Sequence, residues 1–113
     1  MNDYDIAQRY VSKANHARQN GIEFSLSFTS FKNMMKSKRC KYTGIELTDS
    51  GKQLITDRTI DRIDSNKGYV KGNVVCICRA ANQFKSLFEN PQYPITLKLA
   101  RKIIGIVEKS SGK

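Results

Sequence analysis

The chain is expected to fold as a small α+β protein, and three patterns in its sequence predict this. Apolar residues recur at three-to-four spacing near both ends, and β-branched runs flank a glycine-bearing loop in the middle. A further amphipathic segment follows that loop region directly. The 113 residues are enough for one domain with a modest core.

Taken in order, Ile6, Tyr10, Val11, Ala14 and Ala17 form an apolar stripe across Asp3–Gln19, and Gly21 stops the helix they predict. The segment IEFSLSF then alternates Ile22, Phe24, Leu26 and Phe28 with polar residues, which predicts a short extended piece half buried against the core. Ser27 or Thr29 is positioned to cap a second helix reaching Lys36, with Phe28, Phe31, Met34 and Met35 facing inward. The breakers Thr43-Gly44 and Ser50-Gly51 divide CKYTGIELTDSGKQLI into a hairpin and a loop. Strand signals return at Thr59, Ile60 and Ile63, at Tyr69 and Val70, and at Val74 through Ile77. Residues 78–88 read as a helix with Ala81, Phe84, Leu87 and Phe88 on one face, ended by Pro91 and Pro94. After Thr96 an amphipathic helix sets Lys98, Arg101, Lys102 and Lys109 opposite Leu97, Leu99, Ile103, Ile104 and Val107, and the tail SSGK is expected to fray.

Charge narrows the partners. Twenty Lys and Arg against ten Asp and Glu leave a formal +10, a field that attracts polyanions and points to nucleic acid. No polybasic run flanks a long apolar stretch, so a membrane partner is not expected. The N-terminus lacks the basic start and apolar run of a signal peptide, which predicts a cytoplasmic protein. Cys40, Cys76 and Cys78 are an odd count with two in near-adjacent positions, so reduced thiols are expected.

The strings CKYTGIELT at 40–48 and TIDRIDSNKGYVKGNVV at 59–75, followed by CRAAN and Lys85, resemble the HNH, or ββα-metal, endonuclease superfamily, in particular its small phage-encoded members. The upstream GIEFSLS with its short helix looks like the lead-in of those proteins, so the resemblance covers about three quarters of the chain. It implies a treble-clef-like hairpin-helix core over 40–88, an N-terminal helical lead-in over 1–39 and a C-terminal helix over 95–109, in a single domain. It further implies that Asp61 and Asn82 hold one Mg²⁺ or Mn²⁺ ion, since a hard divalent cation accepts carboxylate and carboxamide oxygens and can stabilise a leaving 3′ oxygen. Asn73 would brace the loop through its backbone, and Gly68 and Gly72 would permit the tight positions that loop needs. In a host cell, a phage-encoded protein of this kind would act in the cytoplasm.

Two departures from the family pattern matter. The general-base histidine is replaced by Arg62, which stays protonated at physiological pH and suits a phosphate clamp. The proton acceptor is then left between Asp64, which reads equally as a turn-initiating residue before Ser65-Asn66, and a metal-bound or phosphate-assisted water. His16, the one imidazole, sits outside any motif on the first helix. The second departure concerns zinc. Two CxxC pairs are reduced to Cys40 with Thr43 and Cys78 with Ala81, so no structural zinc is expected, and packing of Tyr42, Ile45, Ile77 and Phe84 would hold the knuckle.

Arg58, Arg62, Lys67, Lys71, Arg79 and Lys85 near the motif, with Lys36, Lys38, Arg39 and Lys41 upstream, would track a phosphate backbone, double-stranded DNA above all. Tyr69 would stack on a nucleotide or pack on its own turn. The leading expectation is a Mg²⁺- or Mn²⁺-dependent DNA endonuclease that nicks. Its rivals are a catalytically silent scaffold that binds DNA or inhibits a host protein, and a basic RNA-associated protein.

Overall fold

The computed structural model describes residues 1–112 and orders the chain as α1 (Asp3–Gln19), α2 (Phe28–Met35), β1 (Arg58–Arg62), β2 (Val74–Cys78), α3 (Arg79–Glu89) and α4 (Leu97–Ser111). The α+β class is as the sequence predicts. The chain divides into two compact units, Met1–Asn82 and the residues from Gln83 onward.

In the first unit α1 starts where Asn2 accepts a hydrogen bond from the Asp5 amide at 2.9 Å, with Asp3 and Asp5 suited to the positive end of the helix. Its apolar stripe is only partly used. Ile6 and Ala17 are buried, Tyr10 and Ala14 half-buried, and Val11 is 56% exposed. Of the two cap candidates for α2, Ser27 takes the role by accepting from the Ser30 amide at 3.1 Å. Phe31 and Met35 then enter the core and Met34 packs against it, while Phe28, expected to face inward, opens the helix at the rim and stays 37% exposed. The Tyr10 ring meets Phe24, Phe28 and Phe31 edge-on at 5.4, 5.4 and 5.2 Å, and its hydroxyl donates to the Leu26 carbonyl at 2.6 Å. That bond lets an amphipathic ring sit in the core without an orphaned hydroxyl.

β1 and β2 pair antiparallel, with Arg58 opposite Cys78, Asp61 opposite Val75 and Arg62 opposite Val74. The extended segment expected at 22–28 and the strand expected at Tyr69-Val70 reduce to one parallel bridge between Phe24 and Tyr69. Two backbone bonds make it: the Tyr69 amide donates to the Glu23 carbonyl at 2.8 Å and the Ser25 amide to the Tyr69 carbonyl at 3.1 Å. Gly68 permits the approach, because a Cβ there would lie 2.5 Å from the Glu23 carbonyl oxygen. Thus the loop between β1 and β2 is stitched to the segment joining α1 and α2.

Residues 38–47 form the expected hairpin, with the Leu47 amide bonded to the Lys38 carbonyl and the Cys40 amide to the Ile45 carbonyl. The following loop wraps the Asp57 carboxylate, which accepts from the Ser50 and Thr48 hydroxyls at 2.6 Å each and from the Ser50 and Leu54 amides. Led by the Ser50 and Thr48 hydroxyls, these donors hold the Asp57 carboxyl down at about 2.

In the second unit, Phe84 and Phe88 meet edge-on at 5.0 Å, and Thr96 caps α4 through the Leu99 amide. The tail expected to fray is helical through Ser111, where Gly112 at φ 71° closes the helix. Among the described residues no helix is long and apolar enough to cross a membrane.

Candidate metal and nucleic-acid site

Asp61 lies near the end of β1, is 8% exposed, and accepts a hydrogen bond from the Tyr42 hydroxyl at 2.9 Å. Asn82 lies in the first turn of α3, half-buried. Because α3 follows β2 without a linker, the hairpin and the helix bring these two residues to adjoining elements. Asn82 lines an open groove with Thr59 and Ile60 of β1, and Asp61 is not part of that lining. Their donor set is oxygen only, the chemistry of a hard divalent cation that keeps several waters.

The loop between the strands is built around Asn73, which is 7% exposed. Its Oδ1 accepts from the Asp64 amide at 2.9 Å, and its Nδ2 donates to the carbonyls of Asp64 at 3.1 Å and Gly68 at 2.9 Å. A single carboxamide thereby satisfies the Asp64 amide and the Gly68 carbonyl and adds a second bond to the Asp64 carbonyl, which also accepts the Lys67 amide at 3.1 Å, the bracing role expected of it. Gly72, at φ 88°, takes the left-handed conformation that returns the chain into β2. Asn73→Ala removes all three bonds, and we expect it to cost roughly 2–4 kcal/mol in urea unfolding, since the Asp64 amide and the Gly68 carbonyl are then left unpaired and each carries a desolvation penalty. Asn73→Asp keeps the acceptor but sets a carboxylate oxygen against the Asp64 and Gly68 carbonyls in a buried place, so it should cost at least as much as alanine.

Arg62 points back onto this loop. Its Nη1 donates to the Ser65 and Lys67 carbonyls at 3.0 Å each, and its guanidinium lies 5.2 Å from the Tyr69 ring centre. The residue at the position where a base was looked for thus ties the loop. Asp64 Oδ1 accepts the Asn66 amide at 2.9 Å, the geometry of a turn initiator. Tyr69 itself is 6% exposed and packs on Phe24 at 5.7 Å, so it belongs to the core and is not a stacking platform.

The cations expected to meet phosphate separate into different environments. Lys67 and Lys71 are exposed on the loop, as are Lys36, Lys38, Arg39 and Lys41 around the first hairpin. Arg58 turns inward instead: its side chain is 7% exposed, paired with Asp49 at 3.1 Å, and bonded to the Ser37 carbonyl at 2.6 Å. An acidic partner nine residues upstream neutralises it, so Arg58 is a tie between the loops and not an open phosphate contact. Arg79 is half-buried and donates to the Gln53 carbonyl. Lys85 pairs with Glu89 at 2.9 Å, one turn along α3.

The knuckle departs from expectation in what holds it. Tyr42 and Ile45 are each 42% exposed and Phe84 is 57% exposed, so of the four residues expected to pack it only Ile77 is buried. The buried members there are Cys40, Ile77, Cys78 and Ala81, which belong to the core cluster. Burial opposes ionisation of the Cys40 thiol, but the Thr43 hydroxyl and the amides of Cys78, Tyr42 and Thr43 aim at the sulfur and bring it down to about 7. The Thr43 hydroxyl also lies 4.0 Å from the Cys78 sulfur, so the first hairpin and the end of β2 meet there. Cys76 faces elsewhere, with its thiol 3.6 Å from the Met35 sulfur.

Two features escaped the sequence reading. Tyr42 reaches Asp61 across 19 positions, and no periodic signal connects them. Arg9, Ser12 and Lys13 of α1 line the same groove as Asn82, which the one-turn spacing of Arg9 and Lys13 could have suggested.

With the geometry in view, the class defined is an α+β protein whose antiparallel hairpin runs directly into a helix. The chain is 33% identical over 83 residues to an uncharacterized 29.0 kDa protein in the dda-modA intergenic region of Enterobacteria phage T4. The match takes in 72% of this chain and 32% of that relative, so the chain spans about a third of the phage protein's length. No established family profile matches the chain, and no solved structure matches it.

Proposed function

We propose that the protein is a DNA-binding, HNH-like phosphodiesterase that nicks duplex DNA, with Asp61 and Asn82 holding one Mg²⁺ or Mn²⁺ ion. The observation that carries this reading is the Asn73-braced loop. A buried carboxamide in the family's middle position organises the loop between the strand bearing Asp61 and the strand that runs into the helix bearing Asn82. The +10 charge supports the nucleic-acid part of the same reading.

Within it, Tyr42 fixes the rotamer of Asp61 by its hydroxyl bond, and Asn82 supplies a neutral oxygen. The ion, when bound, would polarise a phosphoryl oxygen and stabilise the leaving 3′ oxygen. Arg62 holds the loop and adds positive charge beside the scissile phosphate. Lys67 and Lys71 meet the flanking backbone.

A second reading has a specific observation behind it. Because the Arg62 guanidinium is engaged by the loop carbonyls and cannot accept a proton, the same scaffold serves a silent DNA-binding or host-protein-inhibiting role. Supercoiled plasmid incubated with Mn²⁺ decides between them. The nicking reading expects open circles from the native protein and at least about a hundredfold fewer from Asp61→Ala, with EDTA abolishing both. Equal, trace nicking by the two proteins would leave only the silent scaffold.

A further inference from the structure

The groove that Asn82 enters is walled by α1. Its volume is about 590 Å³, and Arg9, Ser12 and Lys13 face Thr59, Ile60 and Asn82 across it. Among the described residues two cations line it and no carboxylate does. We propose that this groove is a phosphodiester-binding site for nucleic acid, in which Arg9 and Lys13 meet the phosphate oxygens and Ser12 and Asn82 supply neutral hydrogen bonds.

Several observations converge on an anion. The Lys13 ammonium lies 5.7 Å over the Tyr69 ring, whose other cationic neighbour is Arg62 at 5.2 Å. Two positive groups thus stand beside one ring, and their mutual repulsion falls when a negative charge arrives. Burial first, and the Arg62 charge second, push the Lys13 ammonium below the ordinary lysine value. Arg9 touches Asp49 only at 4.0 Å, and Asp49 makes its shorter bond, 3.1 Å, to Arg58. The Arg9 fork is therefore weakly held. Thr59 spends its hydroxyl proton on the Ile77 carbonyl, so it lines the groove without competing as a donor.

An extended polyanion fits better than a free ion. Arg9 and Lys13 stand one helical turn apart, and repeated phosphates along a strand can engage both while others meet Lys67 and Lys71. The α1 helix then forms one wall of the nucleic-acid track, a role its sequence did not announce. This site rests on the nucleic-acid reading above but not on cleavage.

The test is fluorescence anisotropy with a labelled DNA duplex in EDTA, titrated across salt concentrations, for native protein, Arg9→Gln/Lys13→Gln and the charge-matched control Arg18→Gln/Lys52→Gln. The groove variant is expected to lose roughly tenfold in affinity and about two units of salt slope, with a much smaller loss in the control. Acetylation footprinting of the native protein adds a readout independent of any variant: duplex DNA should shield Lys13. Equal losses in groove variant and control, or Lys13 left unshielded by DNA, would overturn the proposal while leaving DNA binding in place. Shielding of Lys13 by inorganic phosphate at matched phosphate concentration would overturn the nucleic-acid assignment in favour of a free-phosphate site. Native protein that binds duplex without salt dependence would overturn both this site and the nucleic-acid reading.

Discussion

The Arg62→His variant is expected to nick Mn²⁺-loaded plasmid about a hundred to ten thousand times faster than the native protein. A positioned general base typically contributes that factor, and an imidazole titrating near neutrality can accept the proton that a guanidinium cannot. The gain should appear above about pH 6 and flatten once the imidazole is neutral, whereas the native protein should show no such limb. A cost accompanies it. Arg62 spans the Ser65 and Lys67 carbonyls and covers the Tyr69 ring, and a shorter imidazole cannot make both bonds. Asn73 still braces the loop, so we expect the variant to fold with a melting temperature lower by roughly 4–8 °C, the equivalent of about 1 kcal/mol. A folded Arg62→His protein with unchanged, trace activity would mean that Asp61 and Asn82 do not act on one ion.

Phe31→Ala is expected to cost roughly 3–5 kcal/mol. The Phe31 ring is fully buried on α2, edge-on to Tyr10 at 5.2 Å, in the cluster that also holds Ile6, Met35 and Ile77. Removing it loses the transfer energy of the ring and leaves a cavity that three elements must close around. Since domains of this size are stable by only about 5–15 kcal/mol, the variant should melt at least about 15 °C lower. Val11→Ala is the contrast. Val11 was drawn from the same kind of apolar pattern but is 56% exposed, so its loss should stay within about 0.5 kcal/mol. Urea unfolding followed by circular dichroism measures both, and a Phe31→Ala cost under about 1 kcal/mol would contradict the packing described.

Much of the fold was legible because helices and hairpins are written in local signals. The bounds of α1 follow from an apolar stripe between Asn2 and Gly21, and the Ser27 cap of α2 from a hydroxyl before an apolar run. The order of Asp61, Asn73 and Asn82 was equally plain. So was the bracing role of Asn73, since a carboxamide is among the few side chains able to satisfy donors and acceptors of a turn at once.

What failed did so for lack of a local signal. Basic residues near the motif were grouped by sequence proximity, yet Arg58 is turned inward by Asp49 while Arg9 and Lys13, some fifty positions earlier, line the groove beside Asn82. The knuckle was expected to rest on Tyr42, Ile45, Ile77 and Phe84, and of these only Ile77 is buried, beside Cys40, Cys78 and Ala81. Apolar character alone placed Val11, Phe28 and Phe84 inside, and each is substantially exposed.

The sequence by itself determined the α+β class, the helix bounds, the hairpin and its carboxamide-braced loop, because these depend on residues within a turn or two of one another. Only the tertiary structure decided which face of α1 meets the hairpin, that Arg62 clasps the loop it stands beside, and that Tyr42 reaches Asp61. Those contacts join residues far apart in the chain, and side-chain direction across such separations is fixed by packing rather than by any repeating pattern.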